Sequence, residues 1–555
     1  MTITDSLLGI DYSKYACNLS VNGMPLPSDF QLISVQIKQG YQYISSAQIS
    51  LKQEVGFGNP LTINPLGMPF AGNKLSIKAK LDFDEIDIFE GTIVKHKYKN
   101  SKNGTRLQIM AKTKAINLAI NIKSEVFAKQ SDKEVIESIV QTNGCSLEAT
   151  NLTTEFMVKH SQLVKNEISD WDFINLRAEA NGCFVFTEKD KVLIDKPKQA
   201  LDPTAIIPVK YGDNIFEIEM EQDDRLLQIE NEIISFNLTS LKSESVKEDP
   251  ILPSPPAVPI KGKVAENNYR TFNDLEVNDL LKAKTELKSL SKLSGLVHIK
   301  ANLIAKVGGT LDISGFNDLV DGKFIITAIT HDYSEGGFST YLQFGLNHQS
   351  FKSRFGLKTE NLNPTLLTGI VTQLQDDPDN LNRIQVKIAN WNHAQEMLWA
   401  RISTFYAGDK YGFFILPEVG DEVLVTFMGN DFDVPVIIGS VFSPAKPPHT
   451  QAKDDNQEKV FITRKGMKWA WNDEKGTHEI STASGNKILI SEEEKSITIE
   501  DENTNKIVMN DSEINMTGSK DINIKANANI KIEGVNIELS ASGIAKIKGS
   551  MVQVN

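Results

Sequence analysis

Metal or nucleophile chemistry in this chain would have to be built from eight histidines and three cysteines, and their spacing argues against both. His96, His160, His298, His331, His348, His393, His449 and His478 are scattered, with no HExxH pair and no paired CxxC to hold a zinc ion. No P-loop is present to cradle a phosphate, and no G-x-S-x-G to present a nucleophilic serine. Cys17, Cys145 and Cys183 are far apart and odd in number, a pattern of reduced thiols rather than a disulfide framework. Carboxylates are plentiful, but any pair reads first as a solvated face. His331, in "AITHDYSEGG", reads as a satisfied strand-end histidine. Trp469 and Trp471 alternate on one strand, which suits stacking on bases or sugars or, the preferred reading, a core wedge. The sequence therefore predicts no catalytic residue, no cofactor and no metal.

With no reactive centre to position, the elements must position surfaces. The 555 residues suffice for three or four domains, and 40% hydrophobic with 24% charged residues is a globular composition. A net charge of -13 argues against a broad nucleic-acid footprint, which needs clustered Lys and Arg. The start, "MTITDSLLGIDYSKYACNLS", lacks a basic region followed by an apolar one, so no signal peptide is expected. No apolar run approaches the ~18 residues that span a bilayer.

Residues 1–360 read as mainly β with minor α. "FQLISVQIKQGYQYISSAQISLKQ" alternates as half-buried strands do. "SDKEVIESIVQTNG" predicts a helix capped by Ser131 with Glu134 three residues on, closing at Asn143-Gly144. "SDWDFINLRAEANGCFVFTEKDKVLID" predicts a second, capped by Ser169 or Asp170, with Trp171, Phe173, Ile174 and Leu176 on its apolar face. The proline-rich 248–262 reads as a linker or edge loop, and leucines at helical spacing in 270–294 predict an amphipathic surface helix. Residues 364–445 offer six short strands, from "LLTGIVTQL" through "YGFFILP" to "PVIIGSVF", enough for a small OB-fold barrel. Its acidic "GNDFD" reads as hairpin chemistry. A linker, 446–458, follows.

From 459 to 555 apolar pairs flanking one residue recur: Ile488/Ile490, Ile497/Ile499, Ile507/Met509, Ile514/Met516, Ile522/Ile524, Ile530/Ile532 and Ile537/Leu539. From Ile514 to Ile522 to Ile530 the step is eight residues. Each pair faces one side of a strand, and a buried isoleucine contributes roughly 1.5–3 kcal/mol, so a partner surface is required. Single-chain β-helix coils are longer, roughly 20 residues. Eight residues supply one wall of a prism that three copies would close. At ~4.8 Å per strand, roughly ten rungs make a needle on the order of 45–50 Å long. The predicted needle core is Ile514, Met516, Ile522, Ile524, Ile530, Ile532, Ile537 and Leu539.

The order of hub, barrel and needle resembles the hub–spike proteins of contractile injection machines: phage baseplate hubs and spikes, VgrG proteins of type VI secretion, and spikes of extracellular injection particles. "NEISDWDFINLRAEANGCFVF" is similar to their hub segment, "LPEVGDEVLVTFMGNDFDVPVIIGSVF" to their barrel, and "GMKWAWNDEKGTHEISTASGNKILISEEEKSITIED" to the start of their needle. The resemblance implies two β-barrel-like hub domains in 1–360, an OB-fold at 364–445 and a trimeric β-helix (β-prism) at 459–555. It further implies a homotrimer docked on a hexameric inner-tube ring and baseplate proteins, with a PAAR-type tip protein at the needle's end. Such a spike is assembled in the bacterial cytoplasm, delivered outside the cell, and meets the target membrane transiently. The end "KIKGSMVQVN" would leave a small apolar triangle with unpaired strand edges, which makes Val552, Val554 and Asn555 the expected tip platform.

No nucleic-acid partner and no catalysis are expected. The alternatives are a carbohydrate- or nucleic-acid-binding OB-fold protein, and an enzyme with an unrecognised site in the hub.

Overall fold

A computed structural model describes residues 15–28, 30–53, 69–81, 84–101, 104–150, 158–196, 206–222, 229–249, 262–270, 274–291, 293–317, 320–334, 337–346, 366–391 and 397–554. The chain divides into two compact units, Met1–Val441 and Phe442–Asn555.

The first unit is built on a thirteen-stranded sheet. One half runs from Ile215–Gln222 through Leu293–Lys300 and Gly337–Phe344 to Gly322–Ser334. The other runs from Phe30–Gly40 through Ser46–Gln53, Gly104–Lys112, Asp84–Ser101 and Lys74–Leu81 to Tyr15–Val21. The halves join where Gly322–Ser334 pairs antiparallel with Phe30–Gly40, His331 opposite Ile37. Each half buries its own core. Leu19, Val35, Ile49, Ile77 and Ile109 fill one, and Val209, Val297, Leu311, Ile329 and Leu342 the other. In the first half, Tyr15–Val21 and Phe30–Gly40 sit at opposite ends of the strand run yet fill the same core. That half of the sheet therefore curls on itself, with the inward residue of each alternating pair turned to the shared core.

An α/β layer lies alongside. Its first helix is Asp132–Thr142, with the Ser131–Glu134 capping box complete and Gly144 in the left-handed region. The second is Asp170–Ala180, where Ser169 rather than Asp170 is the cap, accepting from the Asp172 amide at 3.1 Å. Trp171, Phe173 and Ile174 are buried against Val135, Ile139 and Val185. The expected surface helix is Asp274–Leu290. Its Val277 and Leu281 pack with Ile233 of the small sheet Lys242–Glu248, Ile229–Asn237, Gly262–Asn268. Most of the proline-rich 248–262 lies outside the described residues.

The barrel closes with five strands in the order Leu367–Gln373, Ile384–Ile388, Met397–Ile402, Pro435–Ser440, Glu422–Phe427. Val371, Val386, Leu398, Val423 and Ile437 are buried inside it. One expectation is corrected here. "YGFFILP" is not a barrel strand; only Tyr411–Gly412 pairs, with Ala407–Gly408, in a short hairpin whose aromatic side chains face outward. Closure is already complete with five strands, so no sixth edge is free to receive it.

In the second unit, Glu458–Ile462, Lys468–Asn472, Thr477–Ser481, Lys487–Ser491, Ser496–Glu500, Lys506–Met509 and Ile514–Thr517 form a seven-stranded antiparallel meander. From 518 to 554 the repeat continues, but these rungs form no ladder within the chain. The expected run of strands is thus hydrogen-bonded in-chain only as far as Thr517.

Candidate functional site

The meander aligns its apolar residues into two continuous rows. Phe461 lies opposite Trp469, then Ile480, Ile488, Ile499, Ile507 and Met516 follow in register. Trp471, His478, Ile490, Ile497, Met509 and Ile514 make the second row. Both rows lie on one face, because alternate residues of a strand share a side. That face is open: Ile488, Ile490, Ile497 and Ile499 are each 38–43% exposed, whereas Ser491, Ser496 and Thr498 are buried. A chain that covers its hydroxyls and leaves its isoleucines to water is not at its own minimum of apolar exposure.

The predicted needle core lies on this surface and its continuation. Ile514, Met516, Ile522, Ile524, Ile530, Ile532, Ile537 and Leu539 are all exposed, by 52–77%. Val552 and Val554 are exposed as well, and Asn555 lies outside the described residues. The expected tryptophan wedge is not buried in the single chain. Trp469 and Trp471 stand 4.8 Å apart on the open face, Trp471 stacks on His478 at 5.3 Å, and the Trp469 indole N–H donates to His478 Nε2.

A second constellation joins hub and barrel, and local patterns did not announce it. Arg270 Nε donates to Asp431 Oδ2 at 2.7 Å, and its terminal nitrogen reaches Asp433 Oδ2 at 2.5 Å. Asp433 Oδ1 accepts the Val164 amide at 2.6 Å. Gln162 accepts from the Trp399 amide at 3.0 Å and donates to the Asp433 carbonyl at 2.9 Å. Val126 and Val164, from the hub hairpin Ile122–Ser131 and Lys159–Ser169, pack against the barrel core. Gly429, at φ 60°, takes the Tyr269 ring so closely that a Cβ would stand 1.9 Å from it. The acidic "GNDFD" is therefore more than turn chemistry: it is the barrel's half of a joint.

Charge within the joint follows from burial. Burial pushes the Asp433 carboxyl up to about 6, with Arg270 opposing and Asp431 adding to the rise. Burial also works against Asp431, but Arg270 outweighs it and holds that carboxyl below its usual range. Behind the joint, Arg177 holds Asp132 through Nε and Nη2 at 2.6 and 2.9 Å, and Asn181 adds a bond at 2.8 Å. Despite burial, Arg177 and His160 keep the Asp132 carboxyl well below the carboxylate range. Lys165, fully buried, pairs with Asp170 and with Glu125. Arg177–Asp132 and Lys165–Asp170 are buried ion pairs, and Asp132, His160 and Arg177 line a cavity together with Arg270 and Asp431.

The reactive residue types stand apart. His331 is buried mid-strand, bonds Thr340 Oγ1 at 3.2 Å, and is lowered to about 4 by burial. His348 and His393 lie outside the described residues. Among the described residues no three His, Cys, Asp or Glu side chains converge as a metal site. Cys17, Cys145 and Cys183 form no disulfide, and burial pushes Cys17 up to about 12.

In its curled β hub, closed barrel and repeat of short strands with an open apolar face, the chain is similar to VgrG-like proteins of the hub-and-spike class. A family model described as the type VI secretion system/phage-baseplate injector OB domain matches residues 367–442. The chain belongs to the family of the Alg8 N-terminal domain, whose model matches residues 12–335. The type VI secretion system spike protein VgrG4b of Pseudomonas aeruginosa is 31% identical over 88 residues, 15% of this chain and 11% of that protein. The chain spans only 5–15% of the length of the curated relatives it matches. In fold it is similar to a chain of the Francisella PdpA-VgrG complex, at TM-score 0.55 and 12% identity, covering 93% of this chain and 90% of that one. An Escherichia coli type VI secretion component gives TM-score 0.50 at 11% identity, covering 76% of this chain and 99% of that one.

Proposed function

We propose that this protein is the structural, non-enzymatic central spike of a contractile injection apparatus and that it works as a homotrimer. The hub seats on the hexameric inner tube, the barrel carries load from hub to needle, and the needle drives a tip protein through the target membrane. The observation that carries this reading is the open isoleucine face beside buried Ser491, Ser496 and Thr498. Only further copies offering the same repeat would cover it in register along its whole length. From 518 onward the rungs have no in-chain ladder, which suits strands that pair with other copies. Interlocked rungs share axial load among many backbone hydrogen bonds.

The Francisella relative is described in complex with PdpA. We extend to this chain a protein partner at its needle's end, of the PAAR type, seated on Val552, Val554 and Asn555. Assembly takes place in the bacterial cytoplasm, and delivery outside the cell comes with the particle. The test is the molar mass of the full-length chain by light scattering. Three times 61.6 kDa is expected, and Ile522→Asp with Ile530→Asp should shift the mass toward one chain. A wild-type monomer would overturn the reading.

A further inference from the structure

A cavity of about 940 Å³ lies where the barrel meets the hub, wholly within Met1–Val441. Its barrel wall has a definite place in the fold. Around the closed sheet the strands follow the chain order first, second, third, fifth, fourth. Trp399 and Arg401 stand on the third strand, Met397–Ile402. Asp379 and Arg383 come from the loop between the first and second strands, and Met428 and Asp433 from the loop between the fourth and fifth. That strand and those two loops form the face on which OB barrels take oligosaccharides and oligonucleotides. The opposite wall is hub, with Phe236, Asn237, Asn267 and Asn268 from the small sheet. We infer that this cavity is a saccharide-binding site, with Arg401 placed for a carboxylate on the sugar. The inference adds a binding site to the spike reading and does not depend on it.

The lining selects the ligand. Four Lys and Arg side chains border the cavity: Lys159, Arg270, Arg383 and Arg401. Arg383 is held by Asp377 and Asp379 at 2.6 and 2.5 Å, Arg270 by Asp431 and Asp433, and Lys159 lies 3.5 Å from Glu134. Arg401 is exposed and enters no ion pair among the described residues. One uncommitted guanidinium suits a single carboxylate, which it meets with two parallel hydrogen bonds. A nucleic-acid strand needs a series of uncommitted cations for its phosphates. A peptide adding itself as a strand needs an open ladder, and the Trp399 amide and carbonyl are already taken by Gln162, at 3.0 and 3.4 Å.

What remains suits hydroxyl groups. The side-chain amides of Asn267 and Asn268 carry both donors and an acceptor, as a sugar hydroxyl does. Phe236, 48% exposed, and half-buried Trp399 offer rings to the C–H faces of a sugar. Ser235 borders the cavity at 1% exposure, and its hydroxyl has no hydrogen-bond partner. A buried polar atom left in that state calls for a partner from outside the chain. The volume falls within the roughly 300–1,000 Å³ of small-molecule sites.

The test is calorimetric titration of the full-length chain with two acidic oligosaccharides, tetragalacturonate and a hyaluronan tetrasaccharide. Neutral cellotetraose, oligothymidylate and tetraglutamate are titrated beside them. The acidic sugars should bind, and Arg401→Gln should weaken them about tenfold, the scale of one charge-assisted contact. Cellotetraose should bind more weakly and be indifferent to Arg401→Gln, whereas Phe236→Ala should weaken all three sugars. Both side chains are exposed, so the melting temperature should stay at the wild-type value and a loss of binding is a loss of contact. If neither acidic sugar binds, or if both variants bind them as the wild type does, the site is overturned. If oligothymidylate or tetraglutamate binds as tightly and loses the same factor in Arg401→Gln, the cavity reads charge rather than sugar, and the saccharide assignment falls. None of these outcomes bears on the mass of the assembly, so the spike reading is judged separately.

Discussion

Arg270 is the side chain on which the hub–barrel joint turns, because it pairs directly with both Asp431 and Asp433, while Arg177 acts on them only from behind. Arg270→Ala would leave Asp433 buried without its cation, a loss of about 3 kcal/mol on the scale of broken buried pairs. Urea unfolding of the full chain, followed by Trp399 fluorescence in a chain whose other tryptophans are replaced by Phe, should show an earlier barrel transition. Asp132 gives a pH signature. Its folded carboxyl titrates below the unfolded value of ~3.9, so its contribution is present above about pH 4 and lost as pH falls through the folded pKa. Asp132→Asn should therefore lower stability at pH 7 by about 3 kcal/mol. The gap from wild type should close as the pH is taken below 4 in equilibrium denaturation.

At the scale of elements, what could be read from sequence was what is encoded locally. The Ser131 and Ser169 caps, the Asn143-Gly144 and Asn181-Gly182 stops and the barrel strands each depend on residues a few positions apart. The joint depends on partners 161 residues apart, and "GNDFD" already had a sufficient local explanation as a turn. "YGFFILP" misled for a related reason. Its apolar run matches a buried strand, and only closure of the barrel by five other strands shows that it must project. The isoleucine repeat was legible because its period is local, whereas the meander was not, since a period of two is the same for a hairpin and for a winding rung. The terminal element gives its own expectation. Deleting 550–555 should abolish co-purification of the tip protein while the mass of the assembly stays unchanged. Retention of the tip would place its platform elsewhere.

For the whole molecule, the two units solve opposite problems. Met1–Val441 gathers apolar residues of its strands into separate cores and pairs buried charges such as Lys165 with Asp170 and Arg177 with Asp132. Phe442–Asn555 does the reverse, holding isoleucines in register on a face that one chain cannot cover. The most direct measurement is electron cryomicroscopy of the full-length protein at a resolution that separates strands ~4.8 Å apart. The expected result is a threefold needle in which the rungs of Ile522, Ile530 and Ile537 are each hydrogen-bonded to rungs of the other two copies. A single copy whose rungs beyond Thr517 fold back and pair with one another would contradict it.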